Sequence, residues 1–150
     1  MNSDAIKRRR KPESGLCMVN YLLDSSAVID ILRNDPAAKK NMQVALKNKY
    51  VLSICPHVYY EVVRGFKGDI NTNKFRTFLT LYKSWKNLPF DMRASNKAVE
   101  IYLHLRNGQL IEDNDIFIAA TAIVNDCVLV TANTRHFSRV ENLNFVNWRT

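Results

Sequence analysis

The stretch DNDIFIAATAIVNDCVLVTAN, residues 113–133, decides how the rest of the chain reads. Between Asn114 and Asn125 nearly every residue is small or apolar, which predicts a helix buried on almost all sides. Cys127 to Thr131 then follows as a β-branched, apolar run that predicts a strand. Asp113 and Asp115 stand at the start of the helix, where carboxylates are stabilised by the helix dipole and by free amide donors. One of the two can serve as the cap, while the other opens toward whatever lies above the sheet.

The same alternation extends in both directions. Upstream, Val19 to Asp24 predicts a buried strand, and Ser25-Ser26 offers N-cap chemistry for a helix carrying Val28, Ile29 and Leu32. Asp35-Pro36 starts a second helix that runs to about Lys49, and Tyr50 to Ile54 is a short strand. Pro56 opens a helix bearing His57, Tyr60, Glu61 and Arg64 that stops near Gly65 and Gly68. Phe75, Phe78, Leu79, Tyr82 and Trp85 fall at helical spacing over residues 71–86, an aromatic stripe suited to core or dimer contact rather than to base stacking. Leu88 to Asp91 predicts a brief strand, and Ser95 to Asn107 a helix closed by Gly108. Downstream, a short helix from Thr134 to Ser138 precedes a final edge strand from Leu143 to Trp148.

Strands alternating with helices predict an α/β fold: one domain with a parallel β-sheet flanked by helices on both faces. The length of 150 residues fits a single domain with its own core, and 47% hydrophobic with 24% charged residues is ordinary globular composition. Residues 1–17 are polar, basic and without periodicity, so the domain is expected over 18–150, with a disordered extension before it and Met18 as a candidate start. The run Lys7-Arg8-Arg9-Arg10-Lys11 reads as a solvated tail.

The formal charge of +8 favours a polyanionic partner, nucleic acid or an acidic protein. Cys17, Cys55 and Cys127 are odd in number and widely spaced, which supports neither a disulfide framework nor a zinc site and suits a reducing cytoplasm. No apolar core of a signal peptide follows the basic run, and no apolar stretch is long enough to span a membrane.

In a parallel α/β sheet, ligands bind outside the carboxyl ends of the strands. Asp24 ends the first predicted strand, as either a helix cap or a site acid. Glu61 lies in the helix after the second strand, either solvated or half-buried and in need of a partner. Asp115 falls in the first turn of the buried helix, and Asn133 follows the strand that ends at Thr131. These positions converge on one rim. Clustered acids repel, and oxygen ligands with retained waters suit Mg²⁺ or Mn²⁺ better than zinc.

The segments Tyr21 to Ile29, Ser53 to Gly65, Asp113 to Ala122, Leu129 to Phe137 and the closing Trp148 together resemble the PIN-domain nucleases, and within them the VapC-type toxins of bacterial toxin–antitoxin pairs. The resemblance covers residues 18–148. It implies Mg²⁺-dependent endonucleolytic cleavage of RNA, with Mn²⁺ as a substitute ion. Asp24, Glu61 and Asp115 would be the catalytic acids and Asp24 and Asp115 the principal metal ligands. Asp113 falls on a more variable position. Asn133 stands where many members carry a fourth acid, which puts a second metal in doubt, and Thr131 is a nearby hydroxyl helper.

Arg64, Lys67, Arg135 and Arg139 are candidate RNA-backbone contacts. The resemblance also implies a cognate VapB-type antitoxin and a homodimer, with the Phe75 to Trp85 stripe as one candidate surface for either contact. A catalytically silent PIN-like domain that binds RNA or a partner is the alternative. A haloacid-dehalogenase-like phosphatase is disfavoured because its second Asp would fall on Ser26.

Overall fold

The computed structural model describes residues 19–150. The expected basic extension over 1–17, the candidate start at Met18 and Cys17 lie outside the described residues.

Three short stretches of apolar chain build the middle of the sheet. β1 (Asn20–Leu23) pairs in parallel with β2 (Val51–Ile54) on one side and β4 (Val128–Val130) on the other, so Leu22 lies between Ser53 and Leu129. β3 (Lys86–Asn87) and β5 (Phe145–Val146) are two-residue parallel edges that complete the order β3-β2-β1-β4-β5. From β1 the chain winds outward to β2 and β3, then returns past β1 to lay down β4 and β5. With right-handed crossovers, that reversal places helices on both faces.

α1 (Ser25–Leu32) and α2 (Pro36–Lys47) connect β1 to β2, and α3 (Pro56–Gly65) and α4 (Asn73–Ser84) connect β2 to β3. α1 packs against α2, α3 and α4. α5 (Met92–Leu105) and α6 (Asp113–Val124) form the long return to β4 and pack chiefly on each other, while α7 (Thr134–Phe137) leads to β5. Leu22, Leu23, Val28, Ile54, Val58, Ile118, Leu129 and Phe137 are fully buried between the layers. In α6, Ile118 to Ala122 are all buried, so the helix is enclosed as its composition predicts.

Several boundaries differ from expectation. The strand expected at Leu88–Asp91 lies two residues earlier, at Lys86–Asn87, whose side chains are both exposed and therefore carry no hydrophobic signal. Asp91 caps α5 instead, accepting from the Ala94 amide at 3.0 Å, so that helix begins at Met92 rather than Ser95. α1 is capped by Asp24, not by Ser25 or Ser26. α6 begins at Asp113, with Glu112 at its cap position and no side-chain cap bond.

The aromatic stripe of α4 is interior. Phe78 and Trp85 are buried, Phe78 packs on Tyr59 and Phe66, and Tyr82 packs on Tyr59. The stripe therefore joins α4 to α3 within one chain, while Phe75, Leu79 and Tyr82 stay half-buried.

Candidate active site

β1 is where the winding reverses, and the crevice of such a sheet opens above the carboxyl ends of the two strands that diverge there, β1 and β4. The Asp24 amide donates to the Val130 carbonyl at 2.9 Å, which fixes the end of β1 against the end of β4. Asp24 and Thr131, the residues that follow the two strands, meet in this crevice. The Thr131 hydroxyl donates to Asp24 Oδ2 at 2.8 Å, and the Ser25 amide donates to Oδ1 at 2.8 Å. Asp24 caps α1, and its carboxylate is buried where β1 and β4 end.

Ser26 ties the same junction. Its hydroxyl lies 3.3 Å from Asp24 Oδ2 and accepts the Ala132 amide at 3.0 Å. The Asn133 amide in turn donates to Thr131 Oγ1 at 3.0 Å. Sequence reasoning used Ser26 as cap chemistry and missed this role, which arises from contacts more than 100 positions apart.

The other two acids arrive from α3 and α6. Asp115, in the first turn of α6, is largely buried and lies 3.5 Å from His136 Nδ1, the nitrogen that also meets Asn133 Nδ2 at 2.9 Å. Glu61 is half-buried on α3 and accepts a short hydrogen bond from Asn114 Nδ2. Asn114 and His136 were not among the sequence candidates, since neither residue type signals such a bridging role by itself.

Burial pushes the Asp24 carboxyl from 3.8 up to about 6, with hydrogen bonds from Thr131 and Ser25 opposing the rise and the charges of Asp115 and Glu61 adding to it. Asp115 is likewise raised, first by burial, with His136 opposing and Glu61 adding. Both neighbouring charges acting on Asp24 are negative, so a cation at this rim would relieve the strain of ionising it.

Among the described residues, no group of three His, Cys, Asp or Glu side chains closes into a metal cage. The nearby Cys55 thiol is buried and pushed up to about 11, chiefly by desolvation.

The remaining sequence candidates divide. Asp113 is exposed and lines an apolar cavity of ≈420 Å³ with Phe90, Tyr102 and Phe117, apart from the Asp24–Thr131 junction. Arg64 and Lys67 are exposed at the end of α3 and Arg135 is exposed on α7. Arg139 does not join them. Its Nη1 donates to the Leu110 carbonyl at 3.4 Å, and it borders a cavity with Glu100, His104 and Glu141 that none of the three acids lines.

A family model for the PIN domain matches residues 21–143. Among similar curated proteins, Ribonuclease VapC1 of Methanocaldococcus jannaschii is 31% identical over 137 residues, covering 90% of this chain and 88% of that protein. Ribonuclease VapC2 of Rickettsia felis is 26% identical over 133 residues, covering 85% of this chain and 97% of that protein. The fold is shared with VapBC2 from Rickettsia felis bound to a DNA fragment from its promoter, at a TM-score of 0.76 and 23% identity over 87% of this chain and 99% of that one. VapBC-1 from nontypeable Haemophilus influenzae gives a TM-score of 0.75 at 24% identity, over 88% and 100% of the two chains.

Proposed function

The chain belongs to the PIN-domain family, and on that premise we propose that it is a divalent-metal-dependent endoribonuclease, the toxin of a toxin–antitoxin pair. The observation that carries the reading is Asp24: a carboxylate buried at the switch point, raised to about 6, and faced by two further negative side chains. The names of the relatives, VapC ribonucleases, supply the substrate class.

Asp24 and Asp115 would hold one Mg²⁺, for which Mn²⁺ could substitute, and Glu61 would bind it directly or through water. Such an ion supplies a more acidic bound water and stabilises charge developing on phosphoryl oxygens. The chain's own residues do the positioning. Thr131 and the Ser25 amide fix the two oxygens of Asp24, Asn114 holds Glu61, and His136 with Asn133 flanks Asp115. Because its amide nitrogen meets His136 Nδ1, Asn133 acts as a positioning group, and a single ion is the simplest stoichiometry. Arg64, Lys67 and Arg135 are the proposed RNA-backbone contacts, with Arg139 a more remote one.

A free ribonuclease endangers the cell that makes it, so a VapB-type antitoxin is the proposed cognate partner, in keeping with the VapBC complexes that share the fold. The cytoplasm is the proposed location and a homodimer the proposed assembly. Among the described residues, no helix is long and apolar enough to cross a membrane.

The test is incubation of purified protein with end-labelled single-stranded RNA in Mg²⁺, in EDTA, and in EDTA followed by excess Mn²⁺. Cutting that disappears with EDTA and returns with Mn²⁺ is expected. RNA bound but left intact in every condition would favour the silent binding domain.

A further inference from the structure

Glu61 shares its helix with an exposed aromatic side chain that the acidic site does not use. Successive residues on a helix turn by roughly 100°, so Tyr60, Arg64, His57 and Glu61 follow one another around α3 within a single arc of about that width. Tyr60 is 59% exposed, and the Arg64 guanidinium lies over its ring, 5.0 Å from the centroid.

Among the described residues, the other large apolar side chains left in water are Leu46 on α2, Met92, Val99, Tyr102 and Leu103 on α5, and Ile70 and Leu110 in loops. Among the described residues, Tyr60 alone of these sits on an element that contributes or is capped by one of the three acids. By contrast, the aromatic rings of α4 are buried or half-buried and pack on Tyr59 and Phe66.

We propose that Tyr60, held by Arg64, is a stacking platform for one unpaired nucleobase of the RNA beside the phosphodiester that is cut, while Arg64 and Lys67 meet the adjoining phosphates. The inference rests on the ribonuclease reading of the Asp24–Glu61–Asp115 rim. An aromatic face accepts any base, so the platform selects unstacked, single-stranded RNA rather than a particular sequence. The charge beside it is of the sign a phosphate backbone needs, on the helix that already brings Glu61 to the rim.

The experiment measures binding of a labelled single-stranded RNA and of its duplex in EDTA, where cleavage is silent, and then KM and kcat in Mg²⁺. Tyr60→Ala should weaken single-strand binding by about tenfold, within the range for loss of one base–aromatic stack, with unchanged salt dependence and unchanged duplex binding. Tyr60→Phe should stay within about twofold of the wild type. Arg64→Ala should weaken binding and reduce the salt slope by about one. In Mg²⁺, the Tyr60→Ala loss should appear in KM rather than kcat.

Wild-type protein that binds RNA without cutting it would defeat the ribonuclease reading, while the binding arm would still decide the platform. Tyr60→Ala with wild-type RNA affinity overturns the proposal. So does an equal loss for Tyr60→Phe, which would mean a hydroxyl contact, or an equal loss on duplex RNA.

Discussion

Asp24 accepts hydrogen bonds from the Ser25 amide and the Thr131 hydroxyl while burial raises its carboxyl to about 6. A carboxyl raised in the folded state favours the protonated form there. Its contribution to stability is therefore complete below the ordinary value of 3.8 and lost as the pH rises through about 6. Asp24→Asn mimics the protonated acid. In EDTA at pH 7.5 the variant should be more stable than wild type by about 1–3 kcal/mol, and the gain should vanish at pH 4. Thermal melts at the two pH values check this, and Mg²⁺ should raise the melting temperature of the wild type but not of the variant. Asp24, Glu61 and Asp115 were legible in the sequence because each stands at a recognisable place in a strand–helix unit. Ser26, Asn114 and His136 were not, because their partners lie on other elements and no local pattern links them.

The α3–α4 pair shows what an amphipathic pattern specifies and what it leaves open. Helical spacing of Phe75, Phe78, Tyr82 and Trp85 predicted a helix with one apolar face, and the helix is there, but spacing alone does not say whether that face meets another helix or a partner. Tyr59 and Phe66 answer it. Phe78→Ala should therefore destabilise the chain by about 3–5 kcal/mol in urea unfolding of a single subunit, as for a buried aromatic. A variant that unfolds like wild type but changes its oligomeric state would return the stripe to the surface. Capping was partly hidden for a different reason. Asp91 sits beside the apolar Leu88 and Phe90, so the stretch read as a strand, whereas its carboxylate closes the first turn of α5. Asp91→Ala should cost about 1 kcal/mol in the same experiment, with the helix content nearly unchanged.

At the scale of the molecule, residues 148–149 pack back on β1, α1 and α2. Trp148 packs edge-on against Tyr21 of β1, Asn41 Nδ2 donates to the Trp148 carbonyl at 3.0 Å, and Arg149 grips the buried Asp30 of α1 through Nε at 2.7 Å and Nη2 at 3.0 Å. Removing the guanidinium leaves a buried carboxylate unpaired, so Arg149→Met should lower stability by about 1–3 kcal/mol, and adding Asp30→Asn should recover part of it. Nothing in the sequence predicted that pairing, since the residues are 119 positions apart. The parallel sheet was legible because buried strands alternate with helices, whereas the strand order that sets Asp24 beside Thr131 depends on how the long α5–α6 return crosses β1, which no local pattern specifies.

The central claim is that the acids at this switch point, rather than the exposed Asp113, cut RNA. Cleavage of a labelled single-stranded RNA in Mg²⁺ by wild type, Asp24→Asn, Asp115→Asn and Asp113→Asn, each shown to be folded by its melt, tests it most directly. Loss of at least a hundredfold in rate for the first two variants, with Asp113→Asn within a few-fold of wild type, is the expected result, on the scale of removing a group that holds a catalytic ion. Equal cutting by Asp24→Asn and wild type would mean that this carboxylate does not hold the catalytic ion.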